Sequence, residues 1–115
     1  MGKVLKPLPK EKIEELKKIH GELYELKIPL NDLGTEFCYG YVKRPTRAIM
    51  SAHASRSLAD PIQAGDIVLR NILIPEISDS RILGEENEEN DNIYYAALTC
   101  LEPLLRVRNA SIKKL

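Results

Sequence analysis

Between Phe37 and Asp60 the hydrophobic period of the chain changes from two to that of a helix within a few residues, and this change limits the folds open to it. Glu36 to Lys43 alternates as a strand must, with Phe37, Tyr39 and Tyr41 on one face and Cys38, Gly40 and Val42 on the other. Lys43-Arg44-Pro45-Thr46-Arg47 then forms a corner, where Pro45 and Thr46 suit a helix start. Arg47 to Leu58 reads as a helix in which Ala48, Ala52 and Ser55 make a small-residue stripe beside Ile49 and Met50, permitting close approach of a second helix. The basic corner is either an anion-facing turn, with Lys43, Arg44 and Arg47 as its cations, or a solvated bend.

Upstream, Ile13, Leu16, Ile19 and Leu23 recur at helical spacing from Lys10, and Gly21 supplies the stop. Leu23 to Ile28 alternates apolar and charged residues until Pro29 ends it, and Asn31-Asp32-Leu33-Gly34 has the chemistry of a turn. The two strands therefore make an antiparallel hairpin. A lone hairpin is marginal in water, so helices must cover its apolar face or a neighbouring subunit must extend its edge.

Downstream, Asp60 caps and Pro61 opens a helix from Ile62 to Ile74, with Ile62, Asp66, Leu69 and Leu73 on one face, Val68 and Ile72 nearby, and Pro75 closing it. Residues 76–92 read as an acidic, mobile loop, because Glu85 to Asp91 offers almost nothing apolar to bury. The run lacks the alternating ligands and central glycine of a calcium loop. Asp91 or Asn92 then caps a last helix from Ile93 to Leu105 with a face of Ile93, Ala97, Cys100, Leu101 and Leu104, bent or ended by Pro103. Arg106 to Leu115 is a basic arm or short helix. The expected fold is α+β: an extended arm over 1–9, then one domain over 10–115 comprising an N-terminal helix, an antiparallel hairpin and three or four helices packed on it.

At 115 residues the chain is long enough for one self-sufficient core. Its 17 basic residues balance 17 acidic ones, which argues against a broad nucleic-acid face. Cys38 and Cys100, without a CxxC or a histidine at ligand spacing, read as buried free thiols in a reducing compartment, with no metal. Lysines and prolines interrupt the first residues as no signal peptide allows, and no segment approaches roughly 20 apolar residues, so a cytoplasmic protein away from membranes is expected.

Catalytic chemistry finds little to stand on. His53 has Ser51 and Ser55 two residues away, positions that do not face each other on a helix, and the Gly-x-Ser-x-Gly elbow is absent. There is no phosphate-binding glycine loop, no HExxH and no cofactor motif. We read the chain as not an enzyme and expect no cofactor. The alternative function is a small nucleic-acid-binding regulator using Lys43, Arg44, Arg47 and Arg56 beside Tyr39 and Tyr41, and the neutral net charge weighs against it.

The order of three segments, YVKRPTRAIMSAHAS from Tyr41, DPIQAGDIVLRNILI from Asp60 and NIYYAALTCLEPLLRVRNASIKKL from Asn92, resembles the small tail-assembly-chaperone-type proteins of tailed bacteriophages. The likeness covers most of residues 23–115 and includes the Val42-x-x-Pro45-x-Arg47 corner. It implies a non-enzymatic assembly protein or small virion component that binds a phage structural protein in the host cytoplasm, or stacks as a homo-oligomer. Recognition would use a helix groove or an open sheet edge. Under that reading the protein-binding residues are Leu26, Ile28, Phe37 and Tyr39 on the hairpin and Ile49, Met50, Leu69 and Leu73 on the helices. Large apolar residues at regular spacing are equally what a plain core requires.

Overall fold

The computed structural model of the chain describes residues 2–83, 88–106 and 110–115. Met1, residues 84–87 of the expected acidic loop and residues 107–109 of the expected basic arm lie outside them. The fold is α+β: a helix, a two-stranded antiparallel hairpin, then helices.

The first helix, α1 (Lys10–His20), ends where Gly21 takes a positive φ of 82° and donates its N–H to the Lys17 carbonyl. Strands β1 (Leu23–Pro29) and β2 (Phe37–Lys43) pair from Leu23 opposite Lys43 to Pro29 opposite Phe37. Between them Gly34 adopts φ 67°, and the Asn31 side chain holds the turn by accepting the Thr35 N–H at 3.0 Å. Thr46 caps α2 (Arg47–Arg56) by accepting from the Ile49 N–H. Asp60 caps α3 (Pro61–Ile72) by accepting from Gln63, with Pro61 at the first helical position.

The core lies between one face of the hairpin and the helices. Leu26, Ile28, Cys38 and Val42 point from the sheet into a cluster with Val68, Leu69 and Ile72 of α3 and with Ile93, Ala97 and Leu101 further on. Gly40, in the middle of β2, is required by this packing: a Cβ there would come within 2.4 Å of the Ile82 side chain. The opposite sheet face carries Glu25, Lys27, Phe37, Tyr39 and Tyr41. Residues 2–9 form neither helix nor strand and reach this face, where the Leu8 N–H donates to the Tyr41 hydroxyl at 2.8 Å.

Several expectations are corrected. The segment expected as a loose loop over 76–92 is largely built into the fold. Pro75–Ile77 forms a 3₁₀ turn, Ser78, Asp79 and Ile82 are buried, and α4 (Glu88–Cys100) begins before the expected cap at Asp91 or Asn92. The apolar Ile82-Leu83 pair inside an otherwise polar stretch explains the anchoring, since burying Ile82 offsets the ordering cost of its neighbours. α4 stops at Cys100, and α5 (Glu102–Leu105) follows with Pro103 in its first turn, so Pro103 marks a new start rather than a bend. Cys100 is exposed, not buried, and Ile62 is exposed on α3, whose buried face is Ala64, Gly65, Val68, Leu69 and Ile72. In α2 the half-buried residues include Ile49, Ala52 and His53, whereas Ala48 and Ser55 face solvent. Residues 110–115 of the basic arm form no helix.

Candidate functional site

Two places invite a ligand: a groove among the helices and the basic corner after β2. The groove begins with the contact of α3 on α4. Gly65 is set so closely against Leu98 that a Cβ would lie 3.3 Å from its Cδ2. Polar contacts fix the same crossing. Asp66 accepts the Tyr94 hydroxyl at 2.5 Å and the Arg70 Nε–H at 2.8 Å, and the latter bond lies along the helix at i, i+4 spacing. Burial, and then the Asp66 carboxylate that accepts its proton, push the Tyr94 pKa up.

Beside this crossing lies an open groove of about 560 Å³. Ile62 of α3 and Tyr95 of α4 line it while remaining 53% and 49% exposed, and Leu98 and Leu105 add further apolar surface. His53 enters from α2 and Glu102 and Arg106 from the last turn, the latter two 3.5 Å apart. Among the described residues His53 makes no side-chain hydrogen bond, so nothing orients its imidazole as a base, and no group of His, Cys, Asp and Glu is placed to hold a metal. The arrangement offers apolar contact with charged ends.

The corner is differently disposed than the bare sequence implies. Arg44 pairs with Glu22 at 3.4 Å, both largely exposed, and the Tyr24 hydroxyl donates to the same Glu22 oxygen. Lys43 is half-buried and Arg47 exposed at the start of α2. The structure thus neutralises one of the three expected cations with a carboxylate from the turn before β1.

Of the eight residues expected to meet a partner, Leu26, Ile28, Tyr39, Leu69 and Leu73 are buried. Leu26, Ile28, Leu69 and Leu73 belong to the core cluster. Phe37, Ile49 and Met50 are half-buried, and Phe37 carries the Lys27 ammonium 4.3 Å above its ring. None of these three lines the groove.

Sequence reasoning missed Asp79. This carboxylate is buried and accepts four hydrogen bonds: from the Arg81 N–H and Nε at Oδ1, and from Arg81 Nη2 and the Val4 N–H at Oδ2, all between 2.8 and 3.0 Å. Burial alone would raise its pKa, and the Arg81 and Val4 donors with the Arg81 charge outweigh it, so the carboxyl titrates below its ordinary value. Cys38 shares the neighbourhood, and burial, reinforced by Asp79, lifts its thiol to about 11. This is a structural node holding the amino-terminal arm. The available signal was an Asp-x-Arg beside Ile82-Leu83, which says nothing until the fold places Val4 next to it.

The chain matches no family model and no curated protein. Among solved structures it is similar to an uncharacterised protein from Bacillus stearothermophilus, at 23% identity and a TM-score of 0.59, over 88% of this chain and 98% of that one. That likeness shows a shared fold.

Proposed function

We propose that this chain is a non-catalytic protein-binding module that receives the apolar face of an amphipathic helix from another protein in the groove between α3 and α4. The observation that carries this reading is the pair Ile62 and Tyr95, half exposed on adjacent helices over a groove of about 560 Å³. Side chains of that size left at a concave surface gain most when a partner covers them. The charged groups at the groove ends suit a helix whose polar face stays wet.

The resemblance of residues 23–115 to tail-assembly-chaperone-type proteins supplies the class of partner: an unassembled structural protein of a tailed bacteriophage, held until assembly. Two free thiols fit the cytoplasm as the compartment, and no helix among the described residues is long and apolar enough to cross a membrane. The nucleic-acid alternative is weakened where Glu22 occupies Arg44.

The test uses affinity capture with the wild-type chain, Ile62→Asp and Tyr95→Asp, followed by reconstitution with the purified captured protein. Both variants should fold normally and weaken that complex at least tenfold, about 1.4 kcal/mol. A complex of unchanged affinity in both variants removes the groove from the reading.

A further inference from the structure

The hairpin has two edges, and the fold treats them oppositely. The outward groups of β2 belong to its odd-numbered residues, and those of Tyr39 and Tyr41 are taken. The Tyr39 N–H donates to the Val4 carbonyl and its carbonyl accepts from Asp79. The Tyr41 N–H donates to the Ser78 hydroxyl and its carbonyl accepts from Ile74. By the same alternation Leu23, Glu25, Lys27 and Pro29 turn their backbone groups outward from β1. Among the described residues nothing pairs with them. We propose that a second copy of this chain does, by antiparallel pairing of β1 with its own counterpart into a four-stranded sheet of order β2, β1, β1 of the partner, β2 of the partner.

Charge selects both the occupant and the register. A two-fold axis between antiparallel copies must set outward-pointing residues opposite one another. Centred on Glu25 it would juxtapose two glutamates, and centred on Lys27 two lysines. Centred on Leu26 it sets Glu25 of each copy against Lys27 of the other, and Leu23 against Pro29, which lacks an N–H and contributes its carbonyl alone. Glu25 and Lys27 are exposed on one face of the strand, so their side chains meet on the same side of the joint sheet. The lone lysine and the terminal proline are also what keeps unrelated strands off an edge. In the self-pairing Lys27 instead meets an opposite charge, which makes the edge selective for its own kind. The pairing uses no residue of the groove, so its failure leaves the groove reading standing.

The experiment is sedimentation velocity over a concentration series for the full chain and three variants, Glu25→Lys, Lys27→Glu and the double exchange. The wild type should show a reversible dimer of the 13.0 kDa chain. Each single exchange, which turns both cross-strand pairs into like charges, should weaken dimerisation about tenfold or more, and the double exchange should restore it. A wild type that stays monomeric at every concentration overturns the proposal, as does a dimer that the single exchanges leave unchanged or the double exchange fails to recover. Because Glu25 accepts the Tyr41 hydroxyl and Lys27 lies over Phe37, a variant can lose its fold for other reasons, and amide exchange on the wild type is the independent arm. The Glu25 and Lys27 amides should become protected as concentration rises through the dimerisation range. Equal exchange across that range overturns the proposal.

Discussion

The β2 edge and the β1 edge belong to the same hairpin and have similar exposed backbone chemistry to dispose of, yet one is closed by the chain itself and the other, among the described residues, is left open. The closure of β2 is assembled from sequence-distant pieces: the arm at Val4, the stretch Leu73 to Asp79 and the Leu73 bridge to Val42. Among the described residues the β1 edge has charged Glu25 and Lys27 and the terminal Pro29 to guard it. An edge can be protected by covering or by charge, and this molecule does one on each side. Covering makes the β2 side sensitive to single buried polar groups, whereas charge makes the β1 side sensitive to salt and to the sign of what approaches.

The largest effect should come from Asp79→Ala. It leaves the Arg81 guanidinium, 21% exposed, and the Val4 and Arg81 N–H groups without their shared acceptor. Removing one member of a buried pair costs about 3–5 kcal/mol, readable as a fall in the urea midpoint. The same site predicts the response to acid. Because its folded pKa is depressed, the carboxylate contributes stability above the ordinary carboxyl value, and that contribution disappears as pH falls through the lower folded value. Wild-type stability should therefore drop below about pH 4 more steeply than that of Asp79→Asn. Parallel acid curves for the two would show that the node does not couple the arm to the fold.

Deleting residues 2–8 tests the covering directly. It removes the hydrogen bonds from Val4 to Asp79, from Tyr39 to Val4, from Ser80 to Gly2 and from Leu8 to the Tyr41 hydroxyl, at about 0.5–1.5 kcal/mol each. A loss of about 2–3 kcal/mol is expected, with faster amide exchange at Tyr39. A smaller loss, about 1–2 kcal/mol, is expected for Gly40→Ala, which must displace Ile82 from the centre of β2. If Gly40→Ala proved neutral, Ile82 would not be what ties the segment after α3 to the sheet.

Much of this architecture is legible in local chemistry. Gly21, the Asn31 to Gly34 turn, Thr46 and the Asp60-Pro61 pair act within four residues, so their hydrogen bonds can be anticipated from the sequence alone. The strand faces follow from alternation, though that pattern cannot say that Tyr39 and Tyr41 are buried as well as Cys38 and Val42. The loop reading over 76–92 missed the burial within 78–83 because composition averages Ile82 with its polar neighbours, whereas burial acts on Ile82 individually. The partner-facing residues failed for a related reason: Leu26, Ile28, Leu69 and Leu73 have the spacing of either a core or a docking face. The groove depends on residues from four helices, and Ile62 comes to line it only once Gly65 has brought α3 against Leu98.

The smallest effect sharpens the comparison most cleanly, because two of the arginine–carboxylate contacts, Arg81 with Asp79 and Arg44 with Glu22, stand far apart in exposure. Arg81 grips Asp79 in a two-pronged contact, and that carboxylate is wholly buried. Arg44 touches Glu22 at 3.4 Å with 71% and 62% of the two side chains exposed. Water and salt screen the second pair, and holding two long side chains together costs entropy that offsets the attraction. Arg44→Ala should therefore change stability by no more than about 0.5 kcal/mol, and added salt should abolish even that. The Tyr24 hydroxyl, whose pKa is raised because it donates to Glu22, supplies a local readout. Arg44 opposes that rise, so its removal should push the Tyr24 titration further up while the unfolding midpoint hardly moves. A destabilisation approaching that of Asp79→Ala would mean that exposure does not set the worth of these two contacts.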